Sequence, residues 1–319
     1  MVKIVKNSDI LKAMCKKQER GNAMSSKLKN EGLLVLTALI WGSAFVAQRV
    51  GMDHIGPFAF NSLRCLMGSV VLIPLIVYRK KKMEKSEIPV VREDKKTLIT
   101  GGILCGIAMA VASSLQQFGL IYTTAGKAGF ITALYILIVP ILGLLLGKKV
   151  GKKVWIGVAF AVVGMYLLCI KEGFSISKGD TLVMLCAVVF SIHILLISYF
   201  SPRVDGVKLS CVQFAICGII CAVPMFSIEK PTLEGILLSL IPLLYAGVLS
   251  CGVAYTLQII AQKNVEPTVA SLILSLESVF AVLTSWVVIH EALTPKEIFG
   301  CVLMFVAIIF AQLPEKGQE

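Results

Sequence analysis

The sequence predicts an all-α polytopic membrane protein, its ten transmembrane helices arranged as two inverted five-helix repeats. Three observations carry this. Apolar runs of about 20 residues, the length a helix needs to cross a bilayer, recur along nearly all of the 319-residue chain. Hydrophobic residues make up 57% of it and charged residues only 16%, whereas soluble domains carry roughly 45–50% and about 25%. Finally, a weak internal similarity relates its two halves.

The apolar runs fall at about 33–51, 57–78, 97–118, 126–147, 152–170, 179–200, 208–227, 235–260, 267–289 and 295–312. Most joining segments are a few residues long, which makes successive helices antiparallel neighbours in a compact bundle. The stretch 79–96, "RKKKMEKSEIPVVREDKK", is the long charged exception. The expected organisation is a tail over 1–30, one five-helix unit over 31–172, a second over 173–313, and a tail over 314–319.

The net charge of +12 does not indicate nucleic acid, because Lys and Arg are gathered in a few connecting loops. Such residues accumulate on the cytoplasmic side. With the N-terminus inside, cytoplasmic segments hold 24 Lys and Arg and the opposite ends five, namely Lys127, Lys171, Lys178, Lys230 and Lys296. Both termini are therefore expected in the cytoplasm, with the chain in the plasma membrane. The first 30 residues are polar and Lys-rich, with no small-residue cleavage site after a short apolar region, so they do not read as a cleaved signal peptide. Met24 opens a natural short lead-in to the first span, and residues 1–23 are expected to be dispensable.

The repeat is read by shifting the chain on itself. At a shift of 149, "LIWGSAFVAQRV…FNSLRCLMG" lies on "VVFSIHILLISY…LSCVQFAICG", with Trp41 on Phe190 and Arg64 on Gln213. At 142, Ala128, Ile131 and Leu134 meet Ala270, Ile273 and Leu276, and at 143 Gly157 meets Gly300. Five spans per copy is an odd number, so the second copy enters the membrane with opposite polarity. Inverted repeats of this kind build many secondary transporters, with substrate bound near the midplane between them.

Three stretches resemble the drug/metabolite transporter superfamily, in its ten-helix EamA-type branch: "ALIWGSAFVAQR", "QQFGLIYTTAGKAGFITALYILIVPILG" and "SCGVAYTLQIIAQKNVEPTVASLILSLESVFAVLTSWVVIHEALT". The resemblance covers roughly residues 30 to 312. It implies transport of amino acids, nucleobases, drugs or other metabolites, commonly as export. The family usually has Leu-Glu-Pro where this chain has Leu276, Glu277 and Ser278; losing that proline is expected to remove a kink.

Intramembrane polar residues supply the candidate binding positions. A charge at a helix centre costs about 2.5–3.5 kcal/mol on insertion scales, so Glu277 must face the bundle interior, either anchoring its helix or contacting solute or proton. Arg64 cannot deprotonate and needs a permanent partner. Glu277 is the obvious carboxylate for it, and an anionic group of the solute is the alternative. Trp41, Phe45 and Gln48 lie at i, i+4 and i+7 on one face of the first span, and Tyr255, Gln258 and Gln262 form a second stripe. Gln116 and Gln117 lie near the end of the third span. Thr132 and Tyr135 face inward if the repeat holds, since Tyr135 aligns with Glu277, while His193 aligns with Ala44. Lone histidines in such places more often pack than carry protons. Pro140, beside Gly143, is the expected hinge. Ten Cys with no CxxC pair read as small hydrophobes.

No HExxH, GxSxG or P-loop is present and there are three His, which argues against an enzyme. No filter-like ring argues for a channel. The expected function is a secondary transporter of small organic metabolites, with amino acids or nucleobases suggested by the aromatics and amides. The alternative is a flippase for a lipid-linked or polyprenyl-phosphate substrate. No cofactor, metal or nucleic acid is expected; the partners are solute, bilayer and, as an open option, a second copy. Orientation is directly testable. Single cysteines introduced as Lys85→Cys and Asp205→Cys should both react with a membrane-impermeant maleimide from the cytoplasmic face; reaction from opposite faces refutes the topology.

Overall fold

A computed structural model describes residues 28–84, 94–123, 125–148, 150–169, 177–289 and 294–312. Most of the N-terminal tail, all of 314–319, half of the charged stretch 79–96, and His290 and Glu291 lie outside these. The described residues form helical segments: α1 (Leu28–Gly51), α2 (Pro57–Glu84), α3 (Lys95–Tyr122), α4 (Ala125–Thr132 and Tyr135–Leu145), α5 (Lys152–Cys169), α6 (Lys178–Phe200), α7 (Gly206–Pro224, continued by Met225–Glu229), α8 (from Leu233 to Gln262 in several pieces), α9 (Pro267–Leu274 and Glu277–Ile289) and α10 (Pro295–Gln312). In lipid every backbone amide needs a partner within the protein, which leaves helices as the solution for such apolar runs. Eight of the segments are long and apolar enough to cross a membrane. The other two are α5 and α10, at 18 residues each.

Helix starts follow their sequences. Asp94 caps α3, with its carboxylate accepting from the Lys96 and Thr97 amides; the Thr97 hydroxyl, 2.5 Å away, holds that carboxyl below its ordinary range. Ser177 and Asp180 form a reciprocal capping box on α6. Asp205 caps α7, and Pro267 stands in the first turn of α9, where its missing N–H is no loss. The cap of α2 is tertiary. Glu229, at the far end of α7, accepts from the amides of Phe58 (2.9 Å) and Ala59 (2.7 Å).

That cap is one end of an antiparallel seam between α2 and α7. Along it Ser62 donates to the Gly218 carbonyl (2.9 Å) and Ser69 to that of Cys211 (3.0 Å), and Arg79 pairs with Asp205 (3.3 Å) at the opposite end. Around the seam α3 packs on α6 and α7, α2 on α8, α5 on α10, and α4 on α6 and α9. α1 joins α8 through Thr37 to the Ala254 carbonyl (3.1 Å) and Ser43 to the Tyr245 hydroxyl (2.5 Å). It meets α9 at Gly42, where an added Cβ would lie 2.6 Å from the Glu277 carbonyl oxygen.

Two helices break midway, α4 at Ala133–Leu134 and α9 at Ser275–Leu276. Both breaks are single tight turns, with Leu134 N bonded to Ile131 O (3.2 Å) and Leu276 N to Ile273 O (3.1 Å). They bear on two expectations. Pro140 lies inside the second piece of α4, and the break in that helix falls ahead of it, at Ala133–Leu134. The missing proline after Glu277 does not remove the break in α9. There Ser271 and Ser275 donate to the carbonyls of Thr268 (2.8 Å) and Leu272 (2.7 Å), and such back-bonding diverts carbonyls from the regular ladder and bends helices.

Removing the tertiary cap should be felt globally. Glu229→Ala leaves two amide donors without their acceptor and should destabilise by about 1–3 kcal/mol, read as a lowered melting temperature in detergent. Glu234→Ala, on the exposed start of α8, should leave it unchanged. Equal melting of both variants would refute the cap's role.

A central cavity beside the helix breaks

Each helix that reaches the middle of the bundle contributes through the residues facing inward at that depth. α1 presents Trp41, Phe45 and Gln48 on one face, with Ala44 between them. α2 adds Arg64 and α3 adds Gln116. α4 supplies Thr132 and Tyr135, one on each side of its break, and α6 supplies Phe190, His193 and Ile194. α8 adds Ser250, Tyr255 and Gln258, and α9 adds Glu277 as the first residue after its break. All of the expected positions (Trp41, Phe45, Gln48, Arg64, Gln116, Tyr135, His193, Tyr255, Gln258 and Glu277) therefore line one cavity. Its free space is about 30 Å³, room for about two water molecules and far below the ~300–1,000 Å³ of ligand pockets.

The lining combines polar and aromatic side chains. Tyr135 donates its hydroxyl to Glu277 Oε1 (3.0 Å), so the residues that open the second pieces of α4 and α9 hold each other. Gln116 donates to the Thr132 hydroxyl (3.2 Å). Arg64 donates to Gln48 Oε1 (3.2 Å), with its guanidinium 5.8 Å from the Phe60 ring centroid. His193 shares a 3.1 Å hydrogen bond with Gln213. Trp41 lies against Tyr255 with centroids 4.4 Å apart, and His193 meets the same tyrosine edge-on at 6.2 Å.

The expected pairing of Arg64 with Glu277 does not occur. Both are almost wholly buried, at 3% and 4% exposure, but the carboxylate takes Tyr135 and the guanidinium takes Gln48. The breaks set Glu277 directly against α4, while α1 is the neighbour that reaches Arg64. Four polar atoms at or beside the cavity have no partner among the described residues: Trp41 Nε1, Arg64 Nε, Gln213 Nε2 and Gln258 Oε1. A buried unpaired polar atom costs about 1–3 kcal/mol. Three donors and one acceptor collected here make the cavity a place that can recognise a solute bearing both kinds of group.

Some placements differ from the sequence reading. Gln117 is buried outside the cavity, and Gln262 contacts Ser198 at 3.4 Å instead. Phe190 and Ser250 were missed. Phe190 carried a signal, since it aligns with Trp41. Ser250 carried none, because α8 winds with the wider π-type turn over Tyr245–Tyr255 and shifts the helical phase. The cysteines are less solitary than their spacing suggested. Cys65 lies 3.4 Å from Cys217 across the α2–α7 seam, and Cys221 is 3.8 Å from the Ser114 hydroxyl. Each is a free thiol, and no metal-holding group of three His, Cys, Asp or Glu occurs among the described residues.

Comparison with known proteins agrees with this architecture. The profile of the EamA-like transporter family matches residues 29–170 and again 177–312. An uncharacterized transporter of Archaeoglobus fulgidus is 34% identical over 305 residues, which is 95% of this chain and 92% of that one. The uncharacterized transporter YoaV of Bacillus subtilis is 23% identical over 85% of this chain and 92% of its own. The uncharacterized inner membrane transporter YedA of Escherichia coli K12 is 21% identical over 88% and 90%. One solved crystal structure superposes with a TM-score of 0.73 at 18% identity, over 89% of this chain and 96% of its own. With the matched segments covering nearly the whole helical bundle, the chain belongs to the EamA-like transporter family, a multi-pass membrane protein.

Proposed function

We propose that the protein is a ten-span secondary transporter that moves small organic solutes out of the cytoplasm by alternating access at the central cavity, with amino acids or nucleobases as the substrate class. The observation that carries this reading is the convergence of Trp41, Arg64, Gln258 and Glu277, from four helices, on one cavity beside two helix breaks. An apolar bundle has no stability reason to gather its costliest side chains at one depth. Irregular backbone inside a membrane is tolerated where it lines a cavity.

Two inverted five-helix units, divided near 172, account for the packing. The breaks at 133–134 and 275–276 are separated by 142 residues, the shift that aligns those spans in sequence. Exchanging the halves turns the α3–α7 contact into α8–α2, and α3–α6 into α8–α1. It leaves α2–α7, α4–α9 and α5–α10 each paired with itself. The two segments matched by the family profile, 29–170 and 177–312, are consistent with the same division.

The chemistry favours a modestly polar, planar or zwitterionic solute. Arg64 offers its unpaired Nε to an anionic or carbonyl oxygen, the Trp41–Tyr255 pair offers stacking, and Glu277 with Tyr135 faces a donor. Free space for about two waters holds no such molecule, so transport requires the halves to move apart around the cavity. The continuous α2–α7 seam makes the cavity's opposite wall, α4 against α9, the natural place for that opening.

Proteoliposomes loaded with a labelled mixture of amino acids and nucleobases should release a subset of them, followed with and without a proton gradient. Arg64→Gln should slow that release roughly tenfold to a hundredfold, the range for losing a hydrogen bond to a charged group, with the protein still folded. Glu277→Gln should keep the Tyr135 contact and part of the transport, whereas Glu277→Leu should lower the yield of folded protein. Retention of every solute by active-looking liposomes refutes the solute reading and favours the flippase for a lipid-linked or polyprenyl-phosphate substrate.

A further inference from the structure

A second cavity lies outside the bundle's centre and has a different character. It is a groove of about 620 Å³ between α2, α3, α6 and α7, open to the flank of the molecule. Its wall is carbon almost throughout: Phe58, Ala110, Val111, Leu115, Phe118 and Leu182, with Ile220 opposite. Ser114 contributes a hydroxyl on the inner wall, and that hydroxyl already contacts Cys221 at 3.8 Å. Val111 is 46% exposed and Ile220 39%, so the groove opens onto the face that the bilayer covers.

Its length and its one charged end restrict the occupant. Along α3 the lining runs from Ala110 to Tyr122, about 18 Å at 1.5 Å per residue, close to one leaflet of a hydrocarbon core about 30 Å thick. It stops where α3 ends and α6 begins, at membrane-surface depth. There Lys178 lies with its amine 5.2 Å from the centroid of the Tyr122 ring. Tyrosine and lysine are the residues that sit at the headgroup level of a bilayer, the ring at the boundary and the amine in the polar layer. The carboxylate two residues on, Asp180, is turned inward to the Ser177 amide (2.6 Å) and the Thr123 hydroxyl (2.7 Å). A slot one leaflet deep, lined by carbon and topped by a cation, is complementary to a single acyl chain carrying a negatively charged headgroup.

We infer that this groove is a binding site for one anionic phospholipid, its acyl chain between α3, α6 and α7 and its phosphate on Lys178. On the orientation set by the charged loops this is the leaflet facing away from the cytoplasm. The site is separate from the central cavity and shares no lining residue with it. A lipid held there packs against the same helices that carry Gln116 and His193, and it fills a space that side chains of the protein leave open.

The test uses the full chain, purified, stripped of lipid with detergent and then supplied with phosphatidylglycerol or phosphatidylcholine in equal amounts. Retained lipids are counted by native mass spectrometry. One phosphatidylglycerol should remain bound in preference to phosphatidylcholine by about fivefold, the factor one lysine carries beside anionic lipid. Lys178→Gln should bring the two to parity, Lys178→Arg should keep the preference, and Val111→Trp, at the exposed lip, should reduce retention of both. All variants are compared at matched melting temperature and elution volume. Equal retention of the two lipids by the unaltered protein, or an undiminished preference in Lys178→Gln, overturns the site. So does displacement of phosphatidylglycerol by inorganic phosphate, which would leave the acyl groove without a role.

Discussion

One hydrogen bond, from the Tyr135 hydroxyl to Glu277, sits where the problem of burying a carboxylate in a membrane is resolved. Each residue is the first of a second helical piece, set down by a tight turn that redirects the chain. The turns free backbone groups, and the freed groups need cover. Gly42 lets α1 press its backbone onto the Glu277 carbonyl, and the Ser278 hydroxyl reaches the Gly129 carbonyl at 3.5 Å. From that point outward the other polar residues take positions around a shared space rather than around separate partners.

The bundle combines a continuous wall with an interrupted one. The α2–α7 seam is tied at both ends and along its length, by a carboxylate cap, two serine contacts, a thiol contact and an ion pair. α4 and α9 are broken, and their buried residues, Ile131, Ile136, Ala270 and Ile273 among them, share one apolar cluster. Packed cores resist continuous deformation. A change of shape in such a molecule concentrates where continuity is already interrupted. The π-type winding of α8, which brings Ser250 and Tyr255 to the cavity, is a second interruption on the same side as α1.

The two cavities differ in the way their surroundings differ. The central one is small and rich in donors and acceptors, because every polar group in it would be expensive anywhere else in the membrane. The peripheral groove is larger and almost free of polar atoms, and it opens on the flank of the bundle, where apolar side chains cost nothing in a membrane protein. Lys178 belongs to the second environment only through its length, which carries the amine to the surface while its stem stays with Tyr122.

Much of this was legible in the linear chain. Run lengths and the scarcity of charge identify membrane helices without reference to contacts, since the solvent imposes them residue by residue. The same cost argument isolates Arg64 and Glu277 as inward-facing, and helical spacing groups Trp41, Phe45 and Gln48. Pairwise geometry was not legible. Which acceptor Arg64 takes, where α4 breaks, and whether serines can break α9 without a proline all depend on which helices are neighbours and at what rotation. So does the meeting of Cys65 with Cys217, which are far apart in sequence. Apolar length and burial cost are local properties of a sequence, whereas partners, breaks and cavities are set by the relative phase of helices, and that phase exists only once the bundle has packed.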